Sequence, residues 1–171
     1  RRSRGLGDVY KRQVEEENYL DGRRIKKNDI IIGIESNGLH SNGFSLINDM
    51  LTKHKLFFKD VSEIMNPTHI YASVVKDLLK SVDNIAGMAH ITGGGLPENL
   101  PRIIPKGMGI RINYDSWQLP RIFYKIMMAG EISPEEMKNV FNLGIGYCIV
   151  APSESENKIH EIITKHGYNS W

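Results

Sequence analysis

Residues 29–47 read DIIIGIESNGLHSNGFSLI. The β-branched run at residues 29–34 has the length of a buried strand. From Phe44 onward the apolar residues recur at the spacing of one helix face, at Ile47, Met50 and Leu51. Residues 36–43 therefore form a strand-to-helix turn. Free backbone N–H groups at a helix start stabilise an anion, and a histidine there can donate to a phosphate or move a proton near neutral pH. Taken alone, the turn is equally compatible with a glycine-rich connector that leaves His40 in solvent.

The composition is that of one globular domain. The chain has 171 residues, of which 40% are hydrophobic and 25% charged, as is ordinary for a soluble protein with one core. No apolar run approaches the roughly 18 residues that a membrane span requires, and the first residues lack a secretory signal pattern. The single cysteine, Cys148, excludes an internal disulfide, and its apolar strand context favours a buried thiol. We therefore expect a cytoplasmic protein with no membrane partner.

The charge is unevenly distributed along the chain. The formal net charge is +2, but residues 1–12 contain five basic residues and one acidic residue, so the rest of the chain carries −2. Because that main part has no basic stripe, nothing indicates nucleic acid as a partner. Residues 1–13 have neither periodicity nor an apolar face, so we interpret them as a disordered or artefactual leader outside the fold.

Helices and strands alternate after the first turn. The spacing of apolar residues predicts a helix at residues 70–82, and residues 85–91 form a short strand candidate. A half-buried strand at 108–112 and a helix at 119–129 closed by Gly130 follow. The capping box Ser133–Glu136 then opens a short helix, and residues 147–150 form a strand. A last helix is capped by Ser153 with Glu156 and ended by Gly167, and residues 168–171 begin another strand. This order predicts a layered α/β sandwich.

Two further glycine turns lie beside strand ends. Residues 92–95 (TGGG) run into a short helix with Pro97 in its first turn, and residues 141–146 (FNLGIG) lead into a strand. Three consecutive glycines are costly to order, so they fit a place where the backbone approaches a ligand closely or adopts positive φ. Since binding residues tend to lie on loops held by a rigid scaffold, we expect the three turns to converge on one ligand.

The other histidines are interpreted as structural. His90 falls inside a predicted strand, and the remaining four lie on predicted helices or at their ends: His54, His69, His160 and His166. None of them stands at metal-ligand spacing from a second histidine and carboxylates, so we expect no zinc site.

Four stretches, in this order, resemble the C-terminal half of the phosphoribosylformylglycinamidine cyclo-ligase family, the aminoimidazole ribonucleotide synthetases of purine synthesis. They are residues 33–43 (GIESNGLHSNG), 66–71 (NPTHIY), 87–99 (GMAHITGGGLPEN) and 141–146 (FNLGIG). The resemblance runs from about Val14 to the end of the chain, which places the domain at residues 14–171. It implies an α+β fold, a layered α/β/α sandwich with a mixed sheet.

The resemblance implies an ATP-dependent ring closure. In the family, ATP activates the formyl oxygen of formylglycinamidine ribonucleotide as an iminophosphate, a nitrogen attacks that carbon, and aminoimidazole ribonucleotide, phosphate and ADP form. Such a site must hold a phosphoryl group and stabilise developing negative charge.

The resemblance also assigns roles to residues of the three turns. His40 matches the active-site histidine of the family, as a phosphate contact or proton donor, and Asn42 is the second catalytic candidate. Substrate or phosphate is assigned to the rest of the first turn and to the second turn, at Ser41, Gly43, Thr92, Gly93, Gly94 and Gly95. Asn142, on the third turn, is assigned to the nucleotide.

The N-terminal half of the family is not found in this sequence. In the family that half carries a lysine-bearing glycine-rich segment, the acidic residues for Mg²⁺ and ATP, and the main dimer interface. The chain also stops before the family's end. We therefore interpret it as a fragment that is inactive alone, with no metal ligands of its own and with a homodimeric parent.

Two alternatives stay open. A relative with another acceptor, such as selenophosphate synthetase, thiamine monophosphate kinase or formylglycinamidine ribonucleotide synthetase, would share the first turn, but residues 89–95 in full argue against it. A non-catalytic phosphate- or nucleotide-binding module would bind its ligand without turnover.

Overall fold

The computed structural model describes residues 19–53 and 62–171. Three strands, β1 (Ile30–Glu35), β2 (Gly87–His90) and β3 (Ile145–Ala151), form a sheet in the order β1-β3-β2. Both pairings are antiparallel, with β3 in the centre. The α+β class is confirmed. The described pairings differ from the mixed sheet that the resemblance implied, because both outer strands run against β3.

The register of the sheet lines up residues from all three strands. Tyr147 of β3 stands opposite Ile34 of β1 and opposite His90 of β2. Directly opposed residues of antiparallel strands point to the same face, so these three side chains share one face of the sheet. The register shifts between Ile34 and Glu35, where β1 leaves the sheet and the first turn begins.

Two helices cover that face of the sheet. They are α2 (Ala72–Ser81) and α6 (Glu156–Lys165), and their buried side chains pack on Ile32, Ile34 and Ile149. The periodic apolar positions predicted for both helices provide the contacts, at Val74, Leu78, Ile159 and Ile163. Each of these four side chains is fully buried, so the two helices are fixed on the sheet.

The opposite face is covered less regularly. The short helix α3 (Gly95–Asn99), a 3₁₀ turn (Leu100–Arg102) and the segment 103–117 lie over it. Beyond the sheet, helices α1 (Phe44–Thr52), α4 (Arg121–Gly130) and α5 (Pro134–Val140) form a second core. That core is built around Ile47, Met50, Phe123, Ile126, Met137 and Phe141.

Most predicted elements are present, with three corrections. The half-buried strand predicted at 108–112 is wrong: that segment is irregular, because Gly109 interrupts it and no strand within residues 19–53 and 62–171 pairs with it. Gly130 is the last residue of α4, and the left-handed residue that ends the helix is Glu131, at φ 54°. Ser153 does not cap α6, since a 3₁₀ turn (Ser153–Ser155) precedes that helix and no side chain caps it.

Other predictions concern the chain ends. Extended residues near the C-terminus pair with the free edge of β1 through hydrogen bonds in both directions between Gly33 and Trp171, at 2.8 and 3.1 Å. The predicted leader at residues 1–13 and His54 lie outside the described residues. Within the described ranges, no helix has both the length and the apolar character to cross a membrane.

Candidate functional site

The first and third glycine turns are joined by buried hydrogen bonds. The Nδ2 of Asn142 donates to the Gly38 carbonyl at 3.0 Å, and its Oδ1 accepts from the Ser36 hydroxyl at 3.1 Å and from the Gly144 amide at 2.9 Å. A backbone bond from Ser36 to the Gly144 carbonyl, 2.8 Å long, runs alongside. Asn142 has no exposed surface. The shape of the first turn is therefore set by a residue about a hundred positions later in the sequence.

His40 is held in a strained and buried conformation on this turn. Its φ is 51°, in the left-handed region that side-chain-bearing residues seldom adopt, and 5% of its surface is exposed. Such strain persists where the surroundings enforce it, and it concentrates at functional sites. The alternative, a glycine-rich connector that leaves His40 in solvent, is wrong because this residue is buried.

The protonation state of His40 follows from its surroundings. Burial, together with the neighbouring rings of His69 and His90, lowers the pKa of His40 to about 4. The ring is therefore neutral near pH 7. Its Nε2 faces the backbone N–H of His69 at 3.5 Å. From this contact we assign the lone pair to Nε2 and the ring proton to Nδ1. His40 presents Nδ1–H as a neutral hydrogen-bond donor.

Three buried polar atoms of this turn lack a partner. Among the described residues, the buried side-chain nitrogen and oxygen atoms without a hydrogen bond are Asn37 Oδ1, His40 Nδ1 and Asn42 Nδ2. An unsatisfied buried group costs about 1–3 kcal/mol, so such atoms are rare in folded proteins. All three belong to residues 36–43. A polar ligand that accepts from two of them and donates to the third would satisfy the turn.

Five aromatic rings lie near His40. Each contacts either the His40 ring itself or a ring that contacts it, and we call the five the aromatic cluster. They belong to His69, Tyr71, His90, Tyr147 and Tyr168, with ring centroids 5.1–6.1 Å apart in contacting pairs. His40 contacts the cluster through His69, at 5.8 Å, and Tyr71, at 6.1 Å. The sequence interpretation missed His69 and His90 as neighbours of His40. The alternation of β2 could have placed His90 on the face of Met88, but nothing local placed His69.

The third turn makes room for His40. A Cβ atom at Gly146 would overlap the Tyr71 hydroxyl and lie 2.6 Å from Cε1 of His40. The same glycine accepts a hydrogen bond from the Ile91 amide at 2.9 Å, immediately before the second turn. The three glycine turns are thus joined to one another around the start of β3. That they bind one ligand stays a prediction.

The second turn is organised by Asn99, which the sequence interpretation did not single out. Its Nδ2 lies 3.2 Å from the carbonyls of Thr92 and Gly93 and 2.8 Å from that of Gly95, and its Oδ1 accepts from the Thr92 hydroxyl at 3.0 Å. Asn99 is 4% exposed. A single buried amide therefore holds the carbonyls of the turn to one side.

The three glycines of this turn differ in their surroundings. A Cβ at Gly93 would meet open space. Gly94 has φ 92°, and the side chain of Glu98 lies nearest to the position that its Cβ would take. Gly95 is buried at φ 57°, with the carbonyls of Lys138 and Phe141 in the place of a side chain. Gly93 and Thr92 face outward, whereas Gly95 packs against α5.

The remaining predicted residues lie where the first turn enters α1. Ser41 is exposed and Asn42 is buried. Gly43 precedes the helix at φ 70°, with the Phe141 ring in the place of a side chain. The turn therefore offers Ser41 to solvent and directs Gly43 to the core.

A separate cavity of about 1000 Å³ lies on the other face of the sheet. Its wall includes Ile31, Cys148, Met108, Ile110 and Trp117, and no residue of the first or second glycine turn lines it. Burial raises the pKa of the Cys148 thiol to about 12, which agrees with a structural thiol rather than a nucleophile. We place the candidate site at the glycine turns because the strained histidine and the unpaired atoms lie there.

A metal site is not formed by the part of the chain that the structure describes. In residues 19–53 and 62–171, no three His, Cys, Asp or Glu side chains come together as metal ligands. The expectation that Mg²⁺ ligands belong to another part of the enzyme stays a prediction.

Comparison with known proteins identifies the family of the chain. Residues 26–171 match the family described as AIR synthase related protein, C-terminal domain. Similar curated proteins include two phosphoribosylformylglycinamidine cyclo-ligases. The protein from Prochlorococcus marinus is 44% identical over 92% of this chain and 48% of its own length. The protein from Pseudothermotoga lettingae is 45% identical over 92% of this chain and 49% of its own length. The chain spans about half the length of the curated relatives it matches. The chain belongs to the AIR synthase-related C-terminal domain family.

Proposed function

We propose that this chain forms the C-terminal half of an ATP-dependent cyclo-ligase that converts formylglycinamidine ribonucleotide to aminoimidazole ribonucleotide in purine biosynthesis. The observation that carries the proposal is the neutral, buried His40 with an unpaired Nδ1–H. It lies in a chain that is 44% identical to a cyclo-ligase over 92% of its length. Ring closure requires a polar oxygen to be held and then released, and the unpaired donors of this turn suit that task.

His40 acts as a hydrogen-bond donor rather than as a charged acid. With its pKa near 4, the ring carries no positive charge to give away at pH 7. Its Nδ1–H donates to an oxygen of phosphate or of the substrate amide. A fixed neutral donor stabilises charge that develops on that oxygen without reorganising during the reaction.

The other unpaired atoms complement this donor. Asn42 Nδ2 donates to a second oxygen, and Asn37 Oδ1 accepts from an N–H of the amidine or from a ribose hydroxyl. Ser41, the backbone of Gly43 and the second turn, residues 92–95, border the same ligand, with Thr92 and Gly93 on the exposed side of that turn. Asn142 acts through the first turn, because the hydrogen bonds of its side chain go to Ser36, Gly38 and Gly144.

ATP is the co-substrate that makes the formyl oxygen a leaving group, since phosphorylation allows it to depart as phosphate while ADP is released. The donor set of the first turn fits phosphate oxygens. Mg²⁺ is assigned to carboxylates of the N-terminal half, which also supplies the dimer interface of a cytoplasmic enzyme.

The test is a complementation experiment. A family N-terminal half is joined ahead of Val14, dimer formation is measured by light scattering, and ADP and aminoimidazole ribonucleotide are followed. Turnover that disappears in His40→Ala but persists in His166→Gln supports the proposal. His166 is a suitable control because it pairs with Asp77 between α6 and α2.

Two outcomes contradict the proposed reaction. A folded dimer that leaves formylglycinamidine ribonucleotide untouched but phosphorylates another acceptor identifies a relative with other chemistry. A dimer that binds ATP or phosphate, loses affinity in His40→Ala and turns over no acceptor identifies a binding module.

A further inference from the structure

Tyr71 occupies the centre of the aromatic cluster. It immediately precedes α2, is 5% exposed, and contacts the rings of His69, His90, Tyr147 and Tyr168 at centroid distances of 5.4–6.1 Å. It also contacts His40 at 6.1 Å. Every described histidine near the site therefore touches Tyr71.

The hydroxyl of Tyr71 holds the point at which the first turn leaves the sheet. It donates a 2.6 Å hydrogen bond to the backbone carbonyl of Glu35, the last residue of β1. The strand register shifts at this position, so the Glu35 carbonyl is not aligned with β3 in the regular ladder. Burial raises the pKa of Tyr71 well above its usual range, so the hydroxyl stays protonated and remains a donor.

The hydroxyl and the His40 ring lie over the same glycine. The space that a side chain at Gly146 would fill is occupied by the Tyr71 hydroxyl on one side and by Cε1 of His40 on the other. A change in either group therefore alters the space available to the other.

We propose that Tyr71 is a positioning residue for His40: its hydroxyl fixes the exit of β1 and, lying over Gly146 beside Cε1 of His40, sets the orientation in which His40 presents Nδ1–H. The inference rests on the proposed role of His40 as a donor. Tyr71 itself contacts no reacting atom; it acts through His40.

The first test uses Tyr71→Phe, which removes the hydroxyl and keeps the ring. Imidazole ¹⁵N shifts of the His-labelled chain report tautomer and protonation, and His40→Gln assigns the His40 signals. In the unaltered chain we expect one neutral tautomer with its proton on Nδ1. In Tyr71→Phe we expect signals averaged between both tautomers and a His40 pKa that moves from about 4 toward the ordinary 6.5, because water reaches the ring.

The matched control is Tyr124→Phe, which removes a hydroxyl from an exposed residue of α4. This control should leave every histidine signal unchanged. If Tyr71→Phe also leaves the His40 shifts and pKa unchanged, the positioning role is refuted.

A second variant tests the space over Gly146 directly, with Tyr71 left in place. Gly146→Ala should displace the His40 signals, since its methyl group competes with both the hydroxyl and the imidazole. Adding Tyr71→Phe to Gly146→Ala should then reverse part of that displacement. Additive shifts in the double variant would overturn the shared-space argument.

Activity separates this inference from the proposed function. It is measured in the enzyme that has a family N-terminal half joined ahead of Val14, which we call the joined enzyme. We expect Tyr71→Phe to lower kcat up to about tenfold with little change in KM, and to shift the acid limb of the pH profile toward neutral pH. If the His40 signals respond as expected but His40→Ala retains full turnover, the positioning role stands and the proposed function fails. If His40→Ala abolishes turnover while Tyr71→Phe changes neither the His40 signals nor kcat, the proposed function stands and the positioning role fails.

Discussion

The side chain of Asn142 donates a 3.0 Å hydrogen bond to the carbonyl of Gly38, which lies 104 residues earlier in the chain. Through the same side chain, Ser36 and Gly144 are also held. This contact joins the turn that carries His40 to the turn that makes room for it at Gly146. The candidate site is therefore one hydrogen-bonded unit rather than a set of independent loops.

Asn142→Ala should destabilise the fold by about 2–3 kcal/mol, because the Gly144 amide would lose its buried side-chain partner and the Gly38 carbonyl would lose one of its two donors, keeping the Ser36 hydroxyl. Urea unfolding followed by circular dichroism measures this change. The control is Asn157→Ala, on the exposed face of α6, which should change stability by less than about 0.5 kcal/mol. Equal effects of the two changes would mean that Asn142 doesn't organise the turns.

Stability should fall as the pH drops from about 6.5 toward 4. Because burial holds the pKa of His40 at about 4, the unfolded chain binds a proton in this interval that the folded chain doesn't bind. The lowered pKa of His90, also caused by burial, acts in the same direction. Unfolding free energies measured between pH 7.5 and 4.5 should decline less steeply in His40→Gln than in the unaltered chain. Asn157→Ala, on the exposed face of α6, serves as the control and should keep the original slope, because it removes no titratable group.

The three glycines of the second turn should tolerate substitution very differently. Gly93→Ala should be nearly neutral, since its Cβ would meet open space. Gly95→Ala should cost more than about 2 kcal/mol, because φ is positive and backbone carbonyls fill the side-chain position. Gly94→Val should abolish turnover in the joined enzyme, because a β-branched residue is strained at the φ of 92° that this position requires. Urea unfolding ranks the variants, and a Gly95→Ala protein as stable as Gly93→Ala would contradict the packing described.

The sequence was sufficient to predict features that depend on neighbours along the chain. The apolar run before the first turn is β1, the periodic residues 74 and 78 face the sheet, and Ser133 caps α5 by accepting from the Glu136 amide at 3.2 Å. Each follows from spacing, capping or backbone freedom, which act over a few residues.

The sequence was insufficient where side chains meet across the fold. Met108, Ile110 and Ile112 alternate as a strand does, yet alternation cannot supply a pairing partner, and Ile110 and Ile112 pack individually over the sheet. The convergence of His69 and His90 near His40 depends on strand register and on the path of the chain before α2. Neither is encoded in the spacing of the histidines, so these neighbours could only be found in the folded chain.

Asn99→Ala should impair the site more than it impairs the fold. Its side chain holds the carbonyls of Thr92, Gly93 and Gly95, so its loss frees the backbone of the exposed part of the second turn while α5 still supports Gly95. Hydrogen exchange should show faster exchange at residues 92–95 and unchanged protection in β3. In the joined enzyme we expect turnover to fall about tenfold or more, since donors must be held in place before the reaction to stabilise charge. Asn157→Ala, on the exposed face of α6 and away from this turn, is the control and should leave exchange at residues 92–95 unchanged. Full turnover in Asn99→Ala, with faster exchange at the turn, would show that the second turn doesn't contribute to the chemistry.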